Sequence, residues 1–226
     1  MAVITISGEF GSGSLDIAHQ VAKTLGYEFV DKRTFDAIFR QYGLTKFDDL
    51  YNSAPGFLDL LNADNLLLVS MANEILEAAA KRGNVVIFGR AGFAVLADYA
   101  DVLHVHIQAP FGERVQRVMA REGLTDLQAA EERVREEDGV RRTYVQRFYN
   151  KQWDDPSNFD LVLDMGSLSS NMAVQRIVEA AKALEQKGTE TDAVTTATIA
   201  VDPVLADAVT EAMTYPLPTL PETGAA

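Results

Sequence analysis

Residues 2–7 (AVITIS) are mostly apolar and β-branched and are closed by Gly8, a pattern that predicts a buried strand. Over 14–25 (SLDIAHQVAKTL) the period becomes helical: Leu15, Ile17, Ala18, Val21, Ala22 and Leu25 recur on one side, and Gly26 stops the helix. A short strand follows at 27–31 (YEFVD), then helical patterns at roughly 32–42 and 63–82, the second ended by Gly83. Strand 84–88 (NVVIF) runs into Gly89-Arg90, and strand 101–107 (DVLHVHI) into Gln108-Ala109-Pro110. Helix 110–122 comes next, then a charged helical stretch from Thr125, where Thr125 and Gln128 have capping-box spacing. A fifth strand, 159–164 (FDLVLD), precedes an amphipathic helix at about 170–187.

Strands separated by helices require crossover connections and parallel pairing, and near-continuous apolar strands require cover on both faces. The expectation is a doubly wound α/β domain over 1–188, a parallel five-stranded sheet with helices on both faces. Residues 189–226 are rich in Thr, Ala and Pro; a short helix near 203–213 and an otherwise mobile tail are expected there. Leu220-Pro221-Glu222-Thr223-Gly224 matches the sortase pattern but lacks the hydrophobic span and basic tail of a wall signal, so it reads as a chance match or an added tag.

Composition narrows the chemistry. The chain has 226 residues and no cysteine, which excludes disulfides, thiolate metal sites and cysteine nucleophiles together. Two of the three histidines, His104 and His106, share one apolar run and read as core residues, so no metal site is expected. A net charge of −13 argues against a nucleic-acid partner, although a local basic cluster can still hold a small phosphorylated ligand. No apolar run approaches the ~18 residues that span a bilayer, and the N-terminus reads as a strand; a cytoplasmic protein without a membrane partner is expected.

The strongest local signal is strand, then Gly8-Glu9-Phe10-Gly11-Ser12-Gly13-Ser14, then helix. Gly8 and Gly13 have the spacing of a phosphate-binding P-loop, in which backbone N–H groups converge on an anion beside a helix N-terminus. A P-loop continues with Lys and then Ser or Thr; here stand Ser14 and Leu15. No neighbour replaces the lysine, Ser14 offers a hydroxyl one position early, and Glu9 and Asp16 make the loop less welcoming to ATP. The competing reading is a turn whose glycines merely allow close packing.

Arg90 follows the third strand, at the sheet edge where open α/β sheets bind ligands, and an arginine there can clamp a phosphate. A second arginine group, Arg133, Arg135, Arg141, Arg142 and Arg147, lies in 133–151 among Glu136, Glu137 and Asp138. It suits a lid that neutralises a transferring phosphoryl; equally, it suits a solvated helix with i,i+4 pairs such as Glu137 with Arg141. Trp153, Phe148 and Tyr149 are expected at the lid base.

Taken together, ITISGEFGSGSLDIA, YEFVDKRTF, VVIFGRAGFAVL, HIQAPFGERVQRV and EEDGVRRTYVQRFYNKQWDDPSNFDLVLDMGSLSSNMAV resemble the cytidylate-kinase-like family across residues 3–178. The resemblance implies a P-loop kinase architecture, with Gly8, Gly11, Ser12, Gly13 and Ser14 as the phosphate loop and a mobile lid around 125–156. It implies that Asp31 begins the acceptor-nucleotide region and that Arg90 contacts the acceptor phosphate. Arg114 and Arg117 would lie near the donor nucleotide, and Asp138, Arg141 and Arg142 in the lid, Asp138 on the substrate side. Cytidylate kinases proper carry the loop lysine, whereas the cytidylate-kinase-like group often has a small residue there. An acidic residue of cytidylate kinases is replaced here by Gly89, so cytidine specificity does not follow.

Two readings of function stand out. One is a phosphotransferase moving the γ-phosphoryl of ATP or another nucleoside triphosphate, with Mg²⁺, to a nucleoside monophosphate or similar small acceptor. The other is a catalytically silent relative that senses a nucleotide or another anion in the same cleft, which the missing lysine favours. A purely interactive role, with the proline-containing tail as docking segment, is a third.

Overall fold

The computed structural model describes residues 2–56, 59, 62–187 and 193–214. Five strands, β1 (Val3–Gly8), β2 (Glu28–Val30), β3 (Val85–Phe88), β4 (Val102–Gln108) and β5 (Leu161–Asp164), form one sheet in the order β2-β3-β1-β4-β5. Every pairing is parallel. Strand alternation divides the core in two. Val3, Val85, Ile87 and Val102 face one layer; Ile4, Ile6, Val86, Leu103, Val105 and Ile107 face the other. Helices α1 (Ser14–Leu25) and α8 (Ser170–Lys187) cover the second face through Ile17, Val21, Ala173 and Ile177. The first face is covered by α2 (Lys32–Gln41), α4 (Ala63–Arg82) and the short α5 (Gly92–Val95). Gly92 is required for that contact, because a Cβ there would come within 3.0 Å of Thr5 Cγ2 on β1.

Most helix limits follow the punctuation read from sequence. Gly26 ends α1 in the left-handed region, and its N–H returns to Ala22 O and Lys23 O. Asn62 caps α4 by accepting from the Asp64 N–H, while Lys81 and Arg82 stand in its last turn. Helices α6 (Phe111–Glu122) and α7 (Leu127–Tyr149) form a hairpin at the C-terminal edge of the sheet. The cap of α7 differs from the expected Thr125 box: Asp126 accepts from the Gln128 N–H, its carboxylate doing the work one residue later. Two short helices escaped the periodicity, α5 and α3 (Phe47–Asn52), since one turn leaves no repeat to read. His104 and His106 are buried as expected, His104 on Thr5 Oγ1 at 2.7 Å and His106 against the rings of Trp153 and Phe159.

The short helix expected near 203–213 is present, and it is packed on the domain together with the segment before it, where a mobile tail was expected around it. A 3-10 turn at Thr196–Thr198 leads into α9 (Pro203–Thr214), which packs on α2 and α4 through buried Leu205, Val209 and Ala212. Their i, i+4, i+7 spacing makes an apolar stripe that alanine-rich composition disguises. Asp101 takes the Thr196 N–H and hydroxyl at 2.8 and 2.6 Å, and Arg82 donates to Thr210 Oγ1 at 2.6 Å. The Leu220–Gly224 motif lies outside the described residues.

Candidate functional site

β1 and β3 are parallel neighbours, Ile6 opposite the last residue of β3, Phe88, and β1 runs two residues on to Gly8, so the turns that follow them share one edge of the sheet. After β1 the chain enters 8–14. The Glu9 N–H donates to Ile107 O at 3.0 Å and the Ser12 N–H to Glu9 O at 3.1 Å, which closes a tight turn. Gly11 and Gly13 have φ of 81° and 82°, where a side chain is strained, and a Cβ on Gly11 would stand 2.8 Å from Arg114 O. Gly13, the N-cap of α1, brings no side-chain cap, so the first N–H groups of the helix keep their capacity for an anion. Ser14 is buried against Gly8, and Ser12 Oγ is buried with no hydrogen-bond partner.

The loop rests on a buried ionic network. Arg114 of α6, 6% exposed, pairs with Asp138 at 2.6 Å and Glu9 at 3.3 Å. It also donates to the carbonyls of Ala109 and Phe10, each at 3.1 Å. Asp138 of α7 accepts the Phe10 N–H at 2.9 Å through its other oxygen. Burial pushes the Glu9 carboxyl up, opposed by the Ala109 N–H it accepts and by the Arg114 charge. The structure thus places Arg114 and Asp138 beneath the loop, joined to each other, where the resemblance assigned them to donor and acceptor. Arg117 does lie on the loop, reaching the carbonyls of Gly11 and Ser12 at 3.4 and 3.3 Å while paired with Glu113 at 2.8 Å.

Above the loop the Phe10 ring meets three guanidiniums: Arg121 at 4.8 Å, Arg133 at 5.3 Å and Arg141 at 5.3 Å from its centroid. Glu137 bonds both Arg133 and Arg141 at 2.7 Å, so the i,i+4 pair read from sequence is present. Burial alone would push the Glu137 carboxyl up, but Arg141, Arg133 and Arg90 outweigh it and hold it below the usual carboxylate range. Arg142 pairs instead with Asp154 at 3.0 Å on the surface. Trp153, 1% exposed, donates from Nε1 to Ser7 Oγ at 2.9 Å and ties the base of α7 to the strand that feeds the loop.

Across the crevice Arg90 follows β3 and is buried. The Tyr51 ring lies 3.9 Å from its guanidinium, its Nη1 donates to the Tyr51 carbonyl, and its Nε has no partner. Burial lowers its pKa, Tyr51 and Glu137 oppose that, and Arg141 adds to it, so Arg90 lies within electrostatic reach of α7. Lys32, Phe35, Phe47, Tyr51, Arg90 and Tyr144 line a cavity of ≈ 30 Å³, room for about one or two waters. Burial raises the Tyr144 hydroxyl to about 12, so it stays a neutral donor. Room for anything larger than water would require α3, which carries Tyr51, to move. Asp31 does not face this cavity with a free carboxylate: it caps α2 on the Arg33 N–H at 2.9 Å and holds the Arg33 side chain at 2.6 Å.

Gly8, Gly11, Ser12, Gly13, Ser14, Arg117, Arg141 and Arg90 therefore converge on one edge, while Asp31, Arg114 and Asp138 are committed to the scaffold and Arg142 to the surface. Phe10 and Tyr51 carried no sequence assignment. An aromatic inside a glycine turn was the available signal for Phe10; nothing local marks Tyr51, which meets Arg90 across 39 residues.

The family model described as "Cytidylate kinase-like family" matches residues 3–167. A cytidylate kinase of Ignicoccus hospitalis is 30% identical over 177 residues, covering 78% of this chain and 97% of that protein. A cytidylate kinase of Pyrobaculum aerophilum is 32% identical over 176 residues, with coverages of 77% and 90%. Among solved structures, an uncharacterized protein from Eubacterium ventriosum superposes with a TM-score of 0.61 at 21% identity, covering 81% of this chain and 99% of that one. A gluconokinase from Sinorhizobium meliloti does so with a TM-score of 0.51 at 15% identity, covering 83% and 98%. This chain has the α/β P-loop kinase fold.

Proposed function

The chain belongs to the cytidylate kinase-like family, and on that premise we propose that it is a phosphotransferase moving the γ-phosphoryl of a nucleoside triphosphate to a nucleoside monophosphate or similar small acceptor. The observation that carries this is the meeting, at one sheet edge, of an uncapped helix N-terminus behind a left-handed glycine loop and a buried arginine with an unsatisfied Nε. The first suits the donor phosphates; the second suits an acceptor phosphate, which arrives ionised and needs no general base.

Backbone N–H groups of Gly11, Gly13 and Ser14 and the buried Ser12 hydroxyl would hold the β- and γ-phosphates. Arg90 would orient the acceptor once Tyr51 has swung aside, and Arg141, shared with Glu137, would turn toward the transferring group. Ser14 supplies the hydroxyl nearest a P-loop's magnesium position. Among the described residues no cluster of three His, Asp or Glu could hold a metal. A magnesium ion arriving with the donor would be held through the Ser14 hydroxyl and would supply neutralisation of phosphate charge.

A second reading keeps the cleft and drops the chemistry: a nucleotide- or anion-binding regulator of the same fold. The missing loop lysine and the commitment of Arg141 to Glu137 favour it. Calorimetric titration with ATP–Mg²⁺ and with CMP, followed by a product assay on the same sample, separates the two. ADP and CDP formation supports transfer; saturable binding without product supports the regulator; no binding of either ligand leaves the fold standing and reopens the function.

A further inference from the structure

The loop carries no cation of its own, yet three are gathered around its one aromatic side chain. Arg121 comes from α6, and Arg133 and Arg141 from α7. Two carboxylates balance them: Glu122 bonds Arg121 at 2.7 Å and Arg133 at 3.6 Å, and Glu137 bonds Arg133 and Arg141. One positive charge is left over among these five groups, and the Phe10 ring adds a cation–π attraction to the ion pairs that bridge the three guanidiniums. The backbone of Phe10 is itself fixed on both sides, its N–H by Asp138 and its carbonyl by Arg114. Asp138 and Arg141 are three apart on α7 and so share a face, which means the tether that fixes Phe10 also sets Arg141 over the loop.

The geometry points to Phe10 as a positioning residue: its ring holds Arg141 where α7 can deliver a guanidinium to the donor phosphates in place of the lysine that Ser14 replaces. This rests on the phosphotransferase reading above. Phe10 also packs against Val115, Val118 and Val134, so a bulk role has to be separated from the role of the ring face.

Three variants make that separation. Phe10→Leu keeps apolar contact and loses the ring; Phe10→Tyr keeps both; Arg141→Gln removes the cation. Each full-length protein is titrated with ATP–Mg²⁺, inorganic tripolyphosphate and CMP, with thermal unfolding as the folding control. Expected are ATP and tripolyphosphate affinities about five- to tenfold weaker for Phe10→Leu and for Arg141→Gln, the scale of one cation–π contact. The double variant loses no more than either single one, Phe10→Tyr stays within about twofold of wild type, and CMP binding is unchanged by the Phe10 variants. Wild-type donor affinity in Phe10→Leu, or equal losses in Phe10→Leu and Phe10→Tyr, overturns the assignment and leaves the phosphotransferase reading standing. Should Phe10→Leu fail to fold, full donor affinity in Arg141→Gln overturns it alone. Wild-type binding without ADP formation removes the transfer reaction and leaves Phe10 in its role; no wild-type binding of either polyphosphate removes both.

Discussion

Replacing Arg114 by Met removes the charge that the loop stands on while keeping most of the side-chain volume. Four interactions go at once: pairs to Asp138 at 2.6 Å and Glu9 at 3.3 Å, and bonds to the Ala109 and Phe10 carbonyls at 3.1 Å. Two carboxylates stay behind, with side-chain exposures of 10% and 23%, each still holding one backbone N–H. Breaking a buried pair from one side costs about 3–5 kcal/mol, because the remaining charge is left desolvated. Glu9, already pushed up by burial, is pushed up further once the Arg114 counter-charge is gone. Urea unfolding of Arg114→Met near neutral pH should therefore show a loss of about 3 kcal/mol, a large part of the total stability of a domain this size. Adding Asp138→Asn removes the second charge and should recover part of the loss, since the two sites share a network. A loss under about 1 kcal/mol, or strictly additive effects, would show that Arg114 is not the loop's support and would return it to the donor side.

Arg90→Ala should weaken monophosphate binding by about 1.5–3 kcal/mol in calorimetry, the scale of a charged hydrogen bond, whereas equal affinity would remove Arg90 from the site. Ser14→Lys with Leu15→Thr should raise ATP affinity; an unchanged value in a folded variant would count against calling 8–14 a degenerate P-loop. Burial lowers His106 from 6.5 to about 4, so its contribution is fully present above pH 6.5 and is lost as pH falls toward 4. The unfolded chain binds the proton first, which makes the loss roughly 3 kcal/mol at the acid end. The stability difference between wild type and His106→Phe across that range reads it, and parallel curves would refute it.

How far the sequence could be read depended on the distance over which the cause acts. Short apolar runs between helical stretches placed all five strands to within about two residues, and the helical period placed α1 and α4 at both ends. Glu137 with Arg141 was legible because the pair lies within one helical turn. The Glu9–Arg114–Asp138 network was not, since Glu9 and Arg114 pair across 105 positions and an arginine on an amphipathic helix reads as solvated until its partners fold against it. Asp31 ends a strand where ligands bind in such folds, but its nearest donors are those of Arg33, two residues on, and the cap of α2 takes the carboxylate first. Tyr51 depends on a one-turn helix folding back over β3, which no periodicity announces.

The seating of α9 sets an order of events during synthesis. Its apolar stripe closes over α2 and α4, elements made more than a hundred residues earlier, and it lies beyond the stretch that the family model covers. While the ribosome is still translating, the sheet and its crevice can assemble, but the surface under Leu205 and Val209 stays bare until the chain past residue 203 emerges. For that interval the nascent chain offers a greasy flank to its neighbours, so growth temperature and chaperone supply should govern its yield more strongly than the stability of the finished protein does.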